Sequence, residues 1–199
     1  MVHSKQHDPS IQADAQLMAR VAMGDAAAWK LLADRELSGV LLLAKRLLDH
    51  HQEAEDVTQE TFTRLWRQAP HWREEARVRT WLYRVTCNLC LDHLRHRHGR
   101  ITEETFAEGE EEAVPASDRE SPLAHLERKE QRHLLDAALA HLPVHHRTAV
   151  LLVNVLGLRV AEAAQVMHLG DEAMASLLAR SRQRLRLLLL PWRNELLGA

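Results

Sequence analysis

This 199-residue chain has two cysteines, Cys87 and Cys90, three positions apart. So few, and so close, exclude a disulfide scaffold and fit a reducing compartment. Aromatic residues make up 4% of the chain, and β-branched runs are scarce, which removes the usual material of strands. No apolar run approaches the roughly 20 residues that cross a bilayer. The opening "MVHSKQHDPSIQAD" lacks the apolar centre of a signal peptide, so a cytoplasmic protein without membrane insertion is expected. Phosphate loops, nucleophile elbows and metal-ligand sets are missing too, which argues against an enzyme and predicts no cofactor. Nor is positive charge in excess. The net charge of −2 and pI near 6.7 argue weakly against nucleic acid, whose binding usually relies on a cationic surface.

What the chain does have is Ala, Leu, Arg and Glu in abundance, with 46% hydrophobic and 27% charged residues. That composition favours helix and can bury one substantial core or two small ones, so an all-α protein is predicted. Charge is spread unevenly. The stretch "ITEETFAEGEEEAVPASDRESP", residues 101–122, holds most of the excess acid, whereas "RHRHGR" just before it is basic. With no helical apolar stripe and with Gly109, Pro115 and Pro122, residues 101–122 read as an acidic flexible linker. They are either a plain tether or an acidic strand suited to a basic channel in a partner. The predicted organisation is a disordered 1–13, a helical domain at 14–100, this linker, and a second helical domain at 123–199.

In the first domain, Leu17 and Val21, then Trp29 and Leu32, lie at helical spacing on either side of Gly24 and Asp25. A glycine stop followed by an aspartate cap predicts two helices and a tight turn. In "AEDVTQETFTRLWRQ", Val57, Thr61, Leu65, Phe62 and Trp66 form a face expected to be buried. Asp56, Gln59, Glu60 and Thr63 fall beside it at i, i+3, i+4 and i+7, either as a solvated polar side or as a docking strip. Next, Trp72, Trp81 and Tyr83 are interleaved with Arg73, Arg77, Arg79 and Arg84. Such π faces and cations suit an unstacked single strand, although buried aromatics and solvated arginines read equally naturally. Thr80 is a candidate cap for a helix starting at Trp81, on which Arg84, Asn88 and Arg95 share one side able to follow a phosphate backbone. Cys87 and Cys90 lack a second ligand pair and read as core. His93, His96 and His98 form no compact ligand set, so no metal is predicted.

The segments "DAQLMARVAMGDAAAW", "AEDVTQETFTRLWR" and "RVRTWLYRVTCNLCLDHLR" resemble, in order and spacing, region 2 of the extracytoplasmic-function group of the sigma-70 family. That resemblance implies that Asp56, Gln59, Glu60 and Thr63 bind core RNA polymerase, on the clamp of its largest subunit. It also implies that Trp72, Arg73, Glu74, Glu75, Ala76, Arg77 and Val78 surround a pocket for a flipped base of the promoter −10 element. Arg79, Trp81, Tyr83, Arg84, Asn88 and Arg95 would support the extruded strand, whose flipping costs a few kcal/mol.

After the linker, Pro143 starts a helix that Gly157 can end, and "VAEAAQVM", "HLG" and "GDEAMASLLARSRQRLR" make a helix-turn-helix candidate. This part is similar to region 4 of the same family, which implies that its last helix reads the −35 element and that the domain meets the flap of the second-largest polymerase subunit. The family's T-V-K-S-R run is replaced by Ala173, Met174, Ala175, Ser176 and Leu177, and its turn glycine by His168. Glu172, Ala173, Ser176, Arg180 and Arg182 remain as candidate contacts, with few base-reading groups among them. The resemblance further implies restraint by a cognate anti-sigma factor, often membrane-borne, which would hold the chain at the inner membrane face. A stand-alone helix-turn-helix regulator is the alternative; it predicts specific duplex binding without polymerase.

Overall fold

The computed structural model describes residues 9–48, 50–73, 76–101 and 134–192, the side chains of 98–101 excepted. Among the described residues every regular element is helical. Most of the acidic segment at 101–122 lies outside them, and so do residues 1–8.

α1 (Pro9–Ala22) starts earlier than expected: residues 9–13, inside the stretch anticipated as disordered, are its first turn. A proline is well placed there, because the amide it lacks has no partner in a first turn anyway. α1 buries Leu17, Met18 and Val21. Gly24, at φ +82°, then reverses the chain, a conformation that favours glycine. Asp25 caps α2 (Ala26–Leu47), its Oδ1 accepting from the Ala27 and Ala28 amides at 2.9 and 3.1 Å. The Ala28 hydrogen bond, with the Arg20 guanidinium beside it, holds the Asp25 carboxyl below its usual range.

α2 packs against α1, α3 (His51–Gln68) and α4 (Val78–Ile101) to enclose the first core. Met18, Leu32, Val40, Leu43, Leu65 and Leu82 are fully buried there, each contributing on the order of 1.5–3 kcal/mol of transfer free energy. A short 3-10 turn, Ala69–His71, ends the α3 limb. α4 begins three residues before the helix expected at Trp81, and Thr80 is buried inside it. Its first amide, on Val78, donates instead to Asp14 Oδ2 on α1 at 2.7 Å, across 64 positions of sequence. A cap supplied from so far away leaves no local signature.

The second domain contains α5 (residues 134–140), α6 (Val144–Val150), α7 (Val160–Val166) and α8 (Asp171–Leu189). α6 runs into a wide π turn, Leu151–Val155, before Gly157 at φ +71° breaks the direction. Leu139, Leu151, Leu152, Ala163, Met174 and Leu178 form the core. Arg147 is buried at 9% exposure, which costs a guanidinium least where its terminal nitrogens are paired. Its Nη2 donates to the Ala140 carbonyl at the end of α5 (2.6 Å), and its Nη1 donates to the Arg46 carbonyl near the end of α2 (3.3 Å). One cation thus serves the carbonyl ends of two helices, where the macrodipole favours positive charge. The Arg46–Asp136 ion pair joins the domains at the same place.

Candidate functional site

α3 presents the expected polar strip. Val57, Thr61 and Leu65 are buried, Asp56 and Gln59 are exposed, and Glu60 and Thr63 are half-buried. Glu60 pairs with Arg64 at 2.7 Å, and Thr63 Oγ1 donates to the Gln59 carbonyl at 2.9 Å. Asp56 accepts a long hydrogen bond from Gln52 at 3.4 Å. The adjoining aromatic strip departs from expectation: Phe62 is buried, but Trp66 is 45% exposed. Trp66 packs edge-on against Trp29 of α2, with centroids 5.1 Å apart, and Trp29 packs edge-on against Phe62 at 6.0 Å. Between α2 and α3 lies a groove of about 590 Å³, walled by Trp29, Leu37, Phe62 and Trp66, with Gln59 and Thr63 beside them. Exposed large apolar groups gathered in a concave strip mark an interaction surface. Periodicity places Trp66 on the apolar side of its helix without revealing that it stays half-open among the described residues.

The second cluster follows the 3-10 turn. Trp72 and Trp81 meet edge-on at 6.1 Å, and the Trp72 indole N–H is buried without an acceptor among the described residues. Trp72, Arg73, Trp81 and Arg84 form one wall of a crevice of about 590 Å³. Gln165, His168 and Leu169 of the second domain form the facing wall. Arg77 reaches Glu162 of α7 at 3.6 Å. Tyr83 does not join this cluster. It is 1% exposed and lies against Gly39, where an added Cβ would stand 2.3 Å from the Tyr83 hydroxyl. Its side chain is a core group, so stacking a base there is ruled out in this arrangement; burial also pushes its hydroxyl pKa up. Arg79 is turned to Glu36 of α2, 3.2 Å away. Asn88 and Arg95 are exposed farther along α4, with Arg95 paired to Asp92 at 3.0 Å. Glu74 and Glu75 lie outside the described residues.

Cys87 and Cys90 are buried, and loss of hydration pushes both thiols well above their usual range. They act as small core groups rather than as thiolates. Among the described residues, no three or more His, Cys, Asp or Glu side chains are grouped to hold a metal ion.

In the helix-turn-helix, Glu162 secures the start of α7. Its Oε2 accepts from the Arg159 amide at 2.9 Å and its Oε1 from the Arg159 guanidinium at 3.0 Å. Partial burial pushes the Glu162 carboxyl up, and the Arg159 bonds with the charges of Arg159 and Arg77 more than reverse this, leaving it below its ordinary value. His168 occupies the turn at φ +54°, the left-handed region where a glycine would be unstrained. Met174, Leu178 and Ser181 of α8 are buried, whereas Glu172, Ala173, Ser176, Arg180 and Arg182 are exposed, so the five candidate contacts stand on the open side. Arg180 Nε donates to the Ser176 carbonyl and Arg182 Nε to Asn154 Oδ1, both at 3.3 Å.

A helical domain with an aromatic and arginine loop, followed by a helix-turn-helix domain, defines a two-part transcription factor. Sigma-70 region 2 matches residues 32–100, and sigma-70 region 4 matches residues 132–185. The chain is 30% identical over 178 residues to the ECF RNA polymerase sigma factor SigM of Mycobacterium tuberculosis, covering 89% of this chain and 85% of that one. It is 32% identical over 189 residues to the RNA polymerase sigma-H factor of Pseudomonas aeruginosa, covering 92% and 96%. Against the ECF sigma factor SigE of Mycolicibacterium smegmatis, identity is 36% over 168 residues, covering 83% of this chain but 64% of that relative's length. The fold is similar to that of CnrH solved with the cytosolic domain of CnrY (TM-score 0.64, 24% identity, 89% and 97% covered). It is similar also to RpoE solved with the anti-sigma factor NepR from Bartonella quintana (TM-score 0.66, 23% identity, 80% and 95% covered). The chain belongs to the extracytoplasmic-function RNA polymerase sigma factors, a family of transcription initiation factors rather than enzymes. No helix among the described residues is long and apolar enough to cross a membrane.

Proposed function

We propose that this chain binds core RNA polymerase through the Asp56, Gln59, Glu60 and Thr63 side of α3 and the adjoining groove, and directs the enzyme to a subset of promoters. The observation that carries this reading is the juxtaposition of exposed Asp56 and Gln59 with the open apolar groove of Trp29, Leu37 and Trp66. A helical segment of the polymerase clamp can lay apolar side chains in the groove while its cations meet the acidic rim. Once docked, Trp72, Arg73, Arg77, Trp81 and Arg84 would receive unstacked −10 bases, with Glu74 as a further candidate. Asn88 and Arg95 would follow the backbone. The −35 element would be read by Glu172, Ala173, Ser176, Arg180 and Arg182 with few base contacts, leaving DNA shape and phosphate contacts to supply most of the recognition. An anti-sigma factor, membrane-anchored or free, would restrain the chain by covering the polymerase-binding surface.

Transcription in vitro with core polymerase on a genomic promoter pool tests the reading. Initiation at a defined subset is expected, and Asp56→Ala combined with Gln59→Ala should weaken core binding about tenfold or more without lowering the melting temperature. A chain that neither binds core nor directs initiation would overturn it. Tight sequence-specific duplex binding without polymerase would favour the stand-alone regulator.

A further inference from the structure

The loop at 72–77 is held at both ends by one helix that is not part of the loop's own α3–α4 hairpin. On the entering side, α1 packs against the 3-10 turn Ala69–His71, with Ala69 buried. On the leaving side, Asp14 of α1 accepts from the Val78 amide at 2.7 Å. Asp14 is 5% exposed, and its other oxygen accepts from Arg35 Nη2 at 2.7 Å. Arg35 Nε continues to Glu36 at 2.7 Å, and Glu36, 3% exposed, accepts from Arg79 at 3.2 Å. Two acids and two bases thus form a balanced chain across α1, α2 and the first turn of α4. Buried charge is retained only where its partners are all in place. Here those partners converge on the residues immediately after Arg77.

We propose that Asp14 is a positioning residue for −10 recognition: by pinning the Val78 amide from α1, it fixes the start of α4 and with it the direction in which Arg77 and the Trp72–Trp81 pair face an unstacked base. This rests on the proposed −10 reading. It assigns Arg79 to the ion pair with buried Glu36 rather than to the strand. Side chains that read a base must be held within a fraction of an ångström, and supporting groups supply that precision. The described residues between His71 and Val78 carry no helix or strand, so the anchor at Val78 sets where α4 begins.

The test uses the full chain in holoenzyme and a single-stranded oligonucleotide pool randomised across a −10 element. Asp14→Ala should reduce capture at least tenfold and flatten the base preference, with affinity for core polymerase within twofold of wild type. Asp14→Asn keeps an acceptor for the Val78 amide and should stay within about threefold of wild type. Hydrogen exchange at residues 72–82 should quicken in the Ala variant and not in the Asn variant. Unchanged base preference in Asp14→Ala, parallel loss of capture and core binding, or an Asn variant as impaired as Ala would each overturn the assignment. If Asp14→Ala does not fold, the Asp14→Asn holoenzyme decides: base preference retained there supports the proposal and base preference lost there overturns it. A wild-type holoenzyme with no base preference would overturn the −10 reading itself.

Discussion

Arg77 and Glu162 face each other at 3.6 Å, one from the loop ahead of α4 and the other from the first helix of the helix-turn-helix. The pair brings α7 onto α4, so the crevice lined by Trp72, Arg73, Trp81 and Arg84 is shared by both domains. In this arrangement the second domain lies over the Trp72 and Trp81 side of the loop.

Glu162→Gln should therefore shift the chain toward separated domains. The two side chains are 35% and 14% exposed, so the ion pair contributes roughly 0–1 kcal/mol, up to about a fivefold change in the closed-to-open ratio. Bonds to Arg159 within the second domain do most to hold the Glu162 carboxyl below its ordinary value of 4.5, and the Arg77 charge does least; the small part that links the domains is present above that pH and is lost as pH falls through the lowered value. Energy transfer between dyes on the two domains should drop on acidification in the wild type, with a smaller acid response in Glu162→Gln. Equal responses would show that the pair does not hold the domains together.

Gly39→Ala tests the contact that removes Tyr83 from the proposed nucleic-acid face. A Cβ at position 39 would stand 2.3 Å from the Tyr83 hydroxyl and 3.3 Å from the ring carbon bearing it. Overpacking of this kind costs about 1–3 kcal/mol, read as a lower urea midpoint. Adding Tyr83→Phe removes the nearest atom and should restore most of the loss. A Gly39→Ala protein as stable as wild type would place Tyr83 elsewhere.

His168→Gly should stabilise the second domain. A left-handed residue other than glycine costs roughly 1–2 kcal/mol, and the extra freedom of glycine in the unfolded chain returns about 0.4–1 of that. The expected net gain is about 0.5–1 kcal/mol in urea denaturation. A loss of stability would mean that the exposed imidazole makes a contact of greater value than the strain.

The helices themselves were legible because their signals are local: Gly24 and Asp25 between α1 and α2, Pro143 at the head of α6, and the apolar spacing of α3. The five exposed positions on α8 were legible for the same reason, since Met174, Leu178 and Ser181 define the opposite side. What escaped depended on distant partners. Trp66 sits on an apolar stripe, and only the course of α2 leaves it open. Tyr83 looks like one more aromatic among arginines until Gly39 is found against its hydroxyl. The start of α4 was misplaced because its cap comes from Asp14. Arg79 carries the charge of a phosphate ligand, yet a buried glutamate claims it.

The brace that α1 provides bears on how such a reading head can be transplanted. A graft cut at residue 32, where the similarity to region 2 begins, would remove the first six residues of α2 and discard Asp14, Met18 and Val21 together. The grafted loop would keep the residues proposed to meet the −10 bases and lose the Asp14 anchor proposed to aim them. On that reading, a portable unit for exchanging promoter preference between relatives runs from Pro9 to the end of α4.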